Sequence, residues 1–496
     1  MEANEMIKLW NKCVHYFNIL SNEHCAGMGD NGCNIERFLI EGSQAAMKTE
    51  QPHQLWLDKD DRYIWHSMKP YNPQATLIAA EAKGCWVTDA AGRQYLDAMA
   101  GLWCVNIGYG REELAEAAYE QLKTLAYFPL TQSHLPAIGL GEKLNELLGD
   151  EYVIFFSNSG SEANETAFKI ARQYHQQRGE HHRYKMISRY RAYHGNSMGA
   201  LSATGQAQRK YKYEPLAPGF IHVPPPDVYR DPDAADDPRR LRAVKAIDDV
   251  MTWELSETIA AVIMEPIITG GGVLIPPDGY MKAVKEVCEK HGALLIVDEV
   301  ICGFGRTGAA FGFQHYGVKP DIITMAKGIT SAYLPLAATA VRKEIYEAFK
   351  GTDEYDYFRH VNTFGGHPAS CAVALKNIEI MEEERLFDRS REAGEWLLDE
   401  LKTNLANHPY VGDVRGKGLL VGIELVADKA TKEPLDVSLV NQVIHRCKEN
   451  GLIIGKNGTT VAGYNNVLTL SPPLCITDDE LSFVVRVLSG ALAAIQ

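Results

Sequence analysis

The 496-residue chain is 46% apolar and 23% charged with a net charge of −14, the composition of a globular protein long enough to bury a large core and to form more than one domain or lobe. The acidic balance argues against nucleic acid or an anionic membrane as a partner, because those surfaces carry the same sign. No run of about 18 apolar residues offers a membrane span, and ten cysteines scattered without a CxxC pair or His/Cys ligand spacing predict reduced, mostly buried thiols and no metal site.

The N-terminus lacks a basic head followed by an apolar core, so a cytoplasmic location is expected. Residues 1–50 are rich in Asn, Cys, Glu and Gly, and they lack sustained periodicity beyond Val14 to Leu20. They read as an extension, or as sequence upstream of a functional start at Met47. From Trp56 the pattern becomes regular, and Leu77 to Gly101 alternates apolar and polar residues around a turn at Asp89–Gly92, which predicts a hairpin. The stretch GLWCVNIGYG follows, in which Leu102, Trp103 and Cys104 taken alone read as core, and then a helix from about Arg111 to Leu125.

The next strand, Tyr152 to Phe156, enters a small polar turn and a helix whose Ala163, Ala167, Ile170, Ala171 and Tyr174 share one face. Ser159 and Glu162 have capping-box spacing. Such a turn aims free amide groups and the positive end of a helix at one spot. Gly160 permits close approach there, and Ser159 and Ser161 add hydroxyls, so the segment is either an ordinary cap or a phosphate anchor. A strand from Lys185 to Ser188 delivers Tyr193, His194 and Gly195, where an aromatic ring could lie over a flat ligand. A Pro-, Asp- and Arg-rich loop, 224–240, precedes a helix from Leu241 to Leu255. The strand IAAVIMEP then ends at Glu265, and an amphipathic helix from Gly279 to His291 closes on Gly292.

Two further strands carry the pair on which the reading turns. The run ALLIVDEV ends in Asp298, and the run Ile322 to Met325 delivers Lys327. Apolar β-branched runs that end in a polar group read as buried parallel strands presenting it at the C-terminal edge, where open α/β sheets bind ligands. A lysine held beside a buried site can lose its proton and attack carbonyls, while a fixed carboxylate can keep a ring nitrogen protonated. Pyridoxal 5′-phosphate (PLP) needs that pairing. Gly303, Gly305 and Gly308 spell GxGxxG between the two strands, but the residues after Gly308 do not make the amphipathic helix that a dinucleotide site requires. Ser159–Ser161, Tyr193, Glu265, Asp298 and Lys327 thus come from five strands expected to align at one sheet edge.

These motifs, SNSGSEANE, AYHG, MEPI, IVDEV, TMAKG and NTFGGHP, resemble those of the class III aminotransferases, in the ω-transaminase subgroup of fold-type I PLP enzymes, over nearly all of Trp56 to Gln496. The resemblance implies an α/β fold-type I transferase, with a large domain built on a mostly parallel central sheet and a smaller α+β domain built from both chain ends. The expected limits are 1–50 for the extension, 51–115 and 379–496 for the small domain, and 116–378 for the large one. It implies phosphate contacts from Ser159, Gly160 and Ser161, Tyr193 stacked on the ring with His194 and Gly195 beside it, and Glu265 helping to hold the site. Asp298 would meet the ring nitrogen, Val300 would pack on the other face, and Lys327 would be the Schiff-base lysine. Thr363 would reach the phosphate of a neighbouring subunit, making a homodimer with shared sites, with tetramers left open.

The implied reaction moves an amino group from a primary amine or ω-amino acid, of β-alanine, taurine or aryl-alkyl-amine type, to a small keto acid such as pyruvate, giving alanine. Arg415 in VRGKGLL matches the family's carboxylate-binding arginine, and Leu102 and Trp103 match its pocket wall beside Tyr193. Glutamate-using relatives carry an acid where this chain has Gly270, a departure that argues against 2-oxoglutarate. Another PLP reaction on the same scaffold, such as decarboxylation or amino-group migration, and a non-catalytic PLP-fold binding protein are the alternatives.

Overall fold

The protein is described from a computed structural model that covers residues 53–68, 70–149, 152–231, 241–457 and 463–495. The expected extension over 1–50 lies outside the described residues. Two compact units divide the chain between Ile78 and Ala79. In the first, a helix spans His53–Tyr63 and a 3-10 turn spans Pro73–Ala75; the Tyr71 hydroxyl donates to Asp61.

The second unit opens with the meander β1 (Ala79–Lys83), β2 (Trp86–Asp89) and β3 (Gln94–Asp97). The predicted turn at Asp89–Gly92 joins β2 to β3, and Asp89 fixes it by accepting from the amides of Ala91 and Arg93, both at 2.9 Å. Next come β4 (Tyr152–Ser157), β5 (Lys185–Arg189), β6 (Phe220–Val223), β7 (Ile259–Met264), β8 (Leu294–Asp298), β9 (Ile322–Met325) and β10 (Ala337–Arg342). They form one seven-stranded sheet in the order β4-β10-β9-β8-β7-β5-β6. The pairs from β9 across to β6 are parallel, while β10 runs antiparallel between β4 and β9. Every residue of β7, β8 and β9 is buried, which is why these strands read as unbroken apolar runs rather than alternating ones.

Helices return the chain between strands as their sequences predict. Gly160–Gln177 follows β4, and Tyr280–His291 links β7 to β8 and stops at Gly292, whose φ of 68° lies in the left-handed region that ends helices. The GxGxxG segment makes turns between β8 and β9, and beyond Gly308 the chain forms a short 3-10 helix, Gly312–Tyr316. The Glu299 carboxylate accepts from its first amides, Gly312 at 2.9 Å and Phe313 at 2.7 Å. The glycine run is therefore a packed connection.

The C-terminal part adds β11 (Val411–Gly416), β12 (Val421–Asp428), β13 (Glu433–Pro434), β14 (Leu452–Ile453), β15 (Gly455–Lys456) and β16 (Val467–Leu470). Strand β14 pairs in parallel with β3, placing Leu452 opposite Leu96, so the two chain ends share a sheet. A second sheet, β11-β12-β16-β15, completes this region. Among the described cysteines none is bonded to another, and Cys85, Cys288, Cys302, Cys371 and Cys447 are buried. No helix among the described residues is long and apolar enough to cross a membrane.

Candidate active site

The C-terminal ends of β4, β5, β7, β8 and β9 converge on a cavity of about 440 Å³. Its wall includes Ser159, Gly160, Ser161, Tyr193, His194, Gly195, Glu265, Asp298, Val300 and Lys327. These are the strand-end groups that the sequence pointed to, brought together because parallel strands present their C-terminal ends at one edge.

Asp298 sits at the floor, 4% exposed. Its Oδ2 accepts from Asn164 Nδ2 and pairs with His194 Nδ1, each at 2.8 Å, and its Oδ1 accepts from the Val300 amide at 3.0 Å. A carboxylate oxygen has two acceptor positions, so Oδ1 keeps one for a ligand. Lys327 lies across from it, enclosed by protein but open to the cavity. Burial lowers its pKa from 10.5, with Asp298 pulling the other way. The backbone of Lys327 is left-handed, φ 47°, a conformation that costs energy for any residue with a Cβ.

Glu265, whose role the sequence left open, is a structural clasp. One oxygen accepts from the Tyr193 amide at 3.2 Å, and the other takes the amide and hydroxyl of Thr269 at 3.0 and 2.8 Å. It fixes the segment that carries Tyr193, over whose ring the Arg209 guanidinium lies at 4.6 Å. Burial raises the Glu265 carboxyl pKa.

The turn after β4 makes an anion cradle. Ser159 Oγ caps the Glu162 amide at 3.3 Å, and Glu162 reaches back to the Asn158 amide at 2.7 Å. The amides of Gly160 and Ser161 belong to the first turn of an 18-residue helix and point out of its N-terminal end, where the helix offers them no acceptor. Ser161 Oγ is held by Asn196, donating to its Oδ1 at 2.9 Å and accepting from its amide at 3.1 Å.

A phosphate-bearing pyridine ring fits this arrangement. A Cβ on Gly160 would stand 3.0 Å from both Val300 methyls, and one on Gly195, φ 140°, would stand 2.5 Å from Ser161 Oγ, so the two glycines let the cradle pack closely against Val300 and against the segment that carries Tyr193. His194 Nε2 is buried without a hydrogen-bond partner, and Asp298 has its spare acceptor. Ser159, Gly160 and Ser161 would hold the phosphate, Tyr193 and Val300 the ring faces, Asp298 the ring nitrogen and Lys327 the carbonyl carbon.

Three expected positions fall elsewhere. Leu102 lines the cavity but Trp103 does not: its indole, 9% exposed, packs in a core cluster with Met99, Ile267, Val273 and Leu420. Cys104 takes the place beside Leu102. Arg415 is not at the wall either. Its guanidinium ion-pairs with Asp413 at 2.7 Å and Glu424 at 2.8 Å, and donates to the carbonyls of Gly272 and Val273. Burial pushes the Glu424 carboxyl up, but Arg415 and Arg230 outweigh it and hold it below the usual range. Thr363 is exposed outside this cavity, its carbonyl accepting from Tyr127 Oη at 2.9 Å.

The sequence reading missed Asn164, which ties the site together by donating to His194 O at 2.6 Å and to Asp298 while accepting from Thr324 Oγ1 at 2.8 Å. A polar residue next to Ala163 on an otherwise apolar helix face was the available signal.

The geometry of Arg415 sets a first prediction. Arg415→Gln should lower unfolding stability by about 1–3 kcal/mol, the cost of losing buried hydrogen bonds to a charged group while Arg230 keeps Glu424 paired, measured by denaturant titration. Turnover should fall by the same factor for alanine and for a carboxylate-free amine. A loss confined to alanine would return the guanidinium to the substrate.

The family model described as aminotransferase class-III matches residues 67–492. An uncharacterized aminotransferase, YhxA, of Bacillus subtilis (strain 168) is 69% identical over 449 residues, covering 90% of this chain and 99% of its own length. The taurine–pyruvate aminotransferase of Bilophila wadsworthia is 41% identical over 442 residues, covering 88% and 96%. The crystal structure of a Bacillus anthracis aminotransferase superposes with a TM-score of 0.89 at 65% identity, covering 90% of this chain and all of its own.

Proposed function

Because the chain belongs to the class-III aminotransferases, a PLP-dependent family, we propose that it is an ω-transaminase that moves an amino group from a primary amine or ω-amino acid to pyruvate, giving alanine. The observation that carries this reading is the meeting of Lys327 and Asp298 across one cavity with an anion cradle at its rim. The relative that uses taurine and pyruvate supports the choice of acceptor. So does Gly270, where a Cβ would have only Gln206 Nε2 near it, at 3.6 Å; no side chain there offers the acid found in glutamate-using relatives.

Bound PLP supplies an electron sink for the negative charge left when the substrate carbon loses its proton. The chain does the rest. The Gly160 and Ser161 amides and the helix dipole fix the phosphate end. Tyr193 and Val300 would hold the ring, and Asp298, oriented by Asn164, His194 and the Val300 amide, would keep its nitrogen protonated. Lys327 Nζ would hold the cofactor and, when free, would be the group placed to take up and hand on the proton of the substrate carbon. Its lowered pKa suits it to that work.

Thr363 is exposed beside an apolar surface that includes Tyr127, Phe128, Leu135, Ile138 and Phe364. Such a patch marks an association face, and a homodimer in which Thr363 serves the second site is part of the proposal. A donor panel tests the whole reading: an aryl-alkyl amine, β-alanine, taurine, ornithine and γ-aminobutyrate, each with pyruvate and with 2-oxoglutarate. Alanine should form in step with a carbonyl product, and pyruvate should outperform 2-oxoglutarate by at least about tenfold, the discrimination that about 1.4 kcal/mol gives. Equal use of both acceptors, or a keto product without alanine, would overturn it.

A further inference from the structure

The turn that leaves β3 is built in an unfavourable backbone conformation, and one buried carboxylate holds it there. Ala100, Gly101 and Trp103 have φ of 46°, 64° and 65°. Only the glycine adopts that region without a steric penalty, so a surface turn left to itself would relax. Two contacts prevent it. From inside, the Trp103 indole is packed among Met99, Ile267 and Val273. From the strand end, Asp97, 3% exposed, accepts the Met99 amide on Oδ1 at 2.9 Å and the Gly101 amide on Oδ2 at 2.6 Å. The hydroxyl of Tyr109 donates to the same Oδ2 at 2.7 Å. Tyr109 belongs to the segment after the turn, and its carbonyl and amide pair with Gly84, so the clamp ties both ends of the loop to the β1–β2 junction.

This turn presents Leu102, 71% exposed, and Cys104 to the cavity. Strained backbone persists where surrounding structure over-determines it, and such places are where geometry matters to function. A wall ordered before the substrate arrives spares the ligand the cost of ordering it.

Resting on the transaminase reading, we propose that Asp97 and Tyr109 are positioning residues that lock the Leu102–Cys104 wall of the donor pocket, so that the wall's rigidity sets how well a bulky apolar donor is accepted. Neither residue lines the cavity, so their effect runs through the turn. Burial, with the Asp97 charge next, raises the Tyr109 phenol pKa, and the hydroxyl stays a donor throughout the working range.

The test uses the PLP-loaded enzyme and the variants Tyr109→Phe and Asp97→Asn, the first removing one hydroxyl from an otherwise intact fold. With 1-phenylethylamine as donor, KM should rise at least fivefold in Asp97→Asn and about half as much in Tyr109→Phe. The KM for pyruvate, kcat and cofactor absorbance should stay within about twofold. Labelling of Cys104 by a thiol reagent, with Cys104→Ser as the blank, should accelerate in the same order. Unchanged KM and labelling in both variants would overturn the proposal, as would an equal loss for donor, acceptor and cofactor retention, which marks a residue needed only for folding. A wild-type protein that makes no alanine from any donor would remove the transaminase reading and leave the labelling result to decide the clamp, because thiol reactivity needs no turnover.

Discussion

Lys327→Ala should leave a folded protein that binds PLP reversibly and has lost transamination, with turnover down by at least about 10⁴-fold. That factor is the upper end of what one positioned acid–base group contributes, and the proposed mechanism gives Lys327 two jobs. Among the described residues it offers the only amine on the cavity wall, so its loss removes covalent capture, and it is the group placed to move the proton between the substrate and cofactor carbons. Single-turnover kinetics with 1-phenylethylamine would measure the second job apart from the first, and turnover near wild type would take Lys327 out of the mechanism. The wild-type protein gives a companion reading. Because burial lowers the pKa of Lys327 from 10.5 in the folded state, its neutral fraction grows at lower pH than that of an exposed lysine. Capture of PLP by the cofactor-free protein, followed by visible absorbance, should therefore accelerate with rising pH along a limb whose midpoint lies below 10.5. A midpoint at the ordinary lysine value would deny the effect of the site on this amine.

The residues that meet at the cavity were legible in the sequence where the signal was local. An apolar run ending in Asp298 or in Lys327 states both the strand and what the strand delivers, and SNSGSEANE states the cap and the helix behind it. The order of strands was not legible, because β10, the next strand after β9, lies between it and the distant β4 and nothing in AATAVR specifies the second neighbour. Side-chain partners fixed by long-range packing were hidden for the same reason. Arg415 sits in a motif that resembled a substrate contact, yet the claim on its guanidinium comes from Glu424 across the β11–β12 pair and from the Gly272 and Val273 carbonyls. Trp103 and Leu102 are neighbours in sequence, but the left-handed turn sends one into the core and leaves the other at the cavity. Asn164 looked like one more polar helix residue until the fold closed over it at 1% exposure.

Asp298→Asn should reduce turnover by about 10²–10³-fold, the loss typical of removing one preorganised electrostatic contact from a buried site, while thermal stability falls modestly. Asparagine keeps the shape of the side chain and discards its charge, so the ring nitrogen would lose the carboxylate proposed to keep it protonated. The substitution also creates a local conflict. If the amide oxygen accepts from the Val300 amide as Oδ1 does now, its NH₂ faces the Asn164 NH₂ that donates to Oδ2. His194 can answer by changing tautomer, since its Nε2 has no protein partner to lose, but Asn164 cannot, because its own oxygen is taken by Thr324. One buried donor is left unpaired, worth about 1–3 kcal/mol of folding stability. The two effects separate experimentally: denaturant titration reads the packing conflict, and half-reaction rates in the loaded enzyme read the charge. Adding Asn164→Leu to Asp298→Asn removes the opposing donor but takes away the partners of the His194 carbonyl and the Thr324 hydroxyl, so stability should not recover and the rate should stay low. If the rate recovered, the loss would belong to a distorted site, and Asp298 would be a scaffold residue whose charge the chemistry does not use.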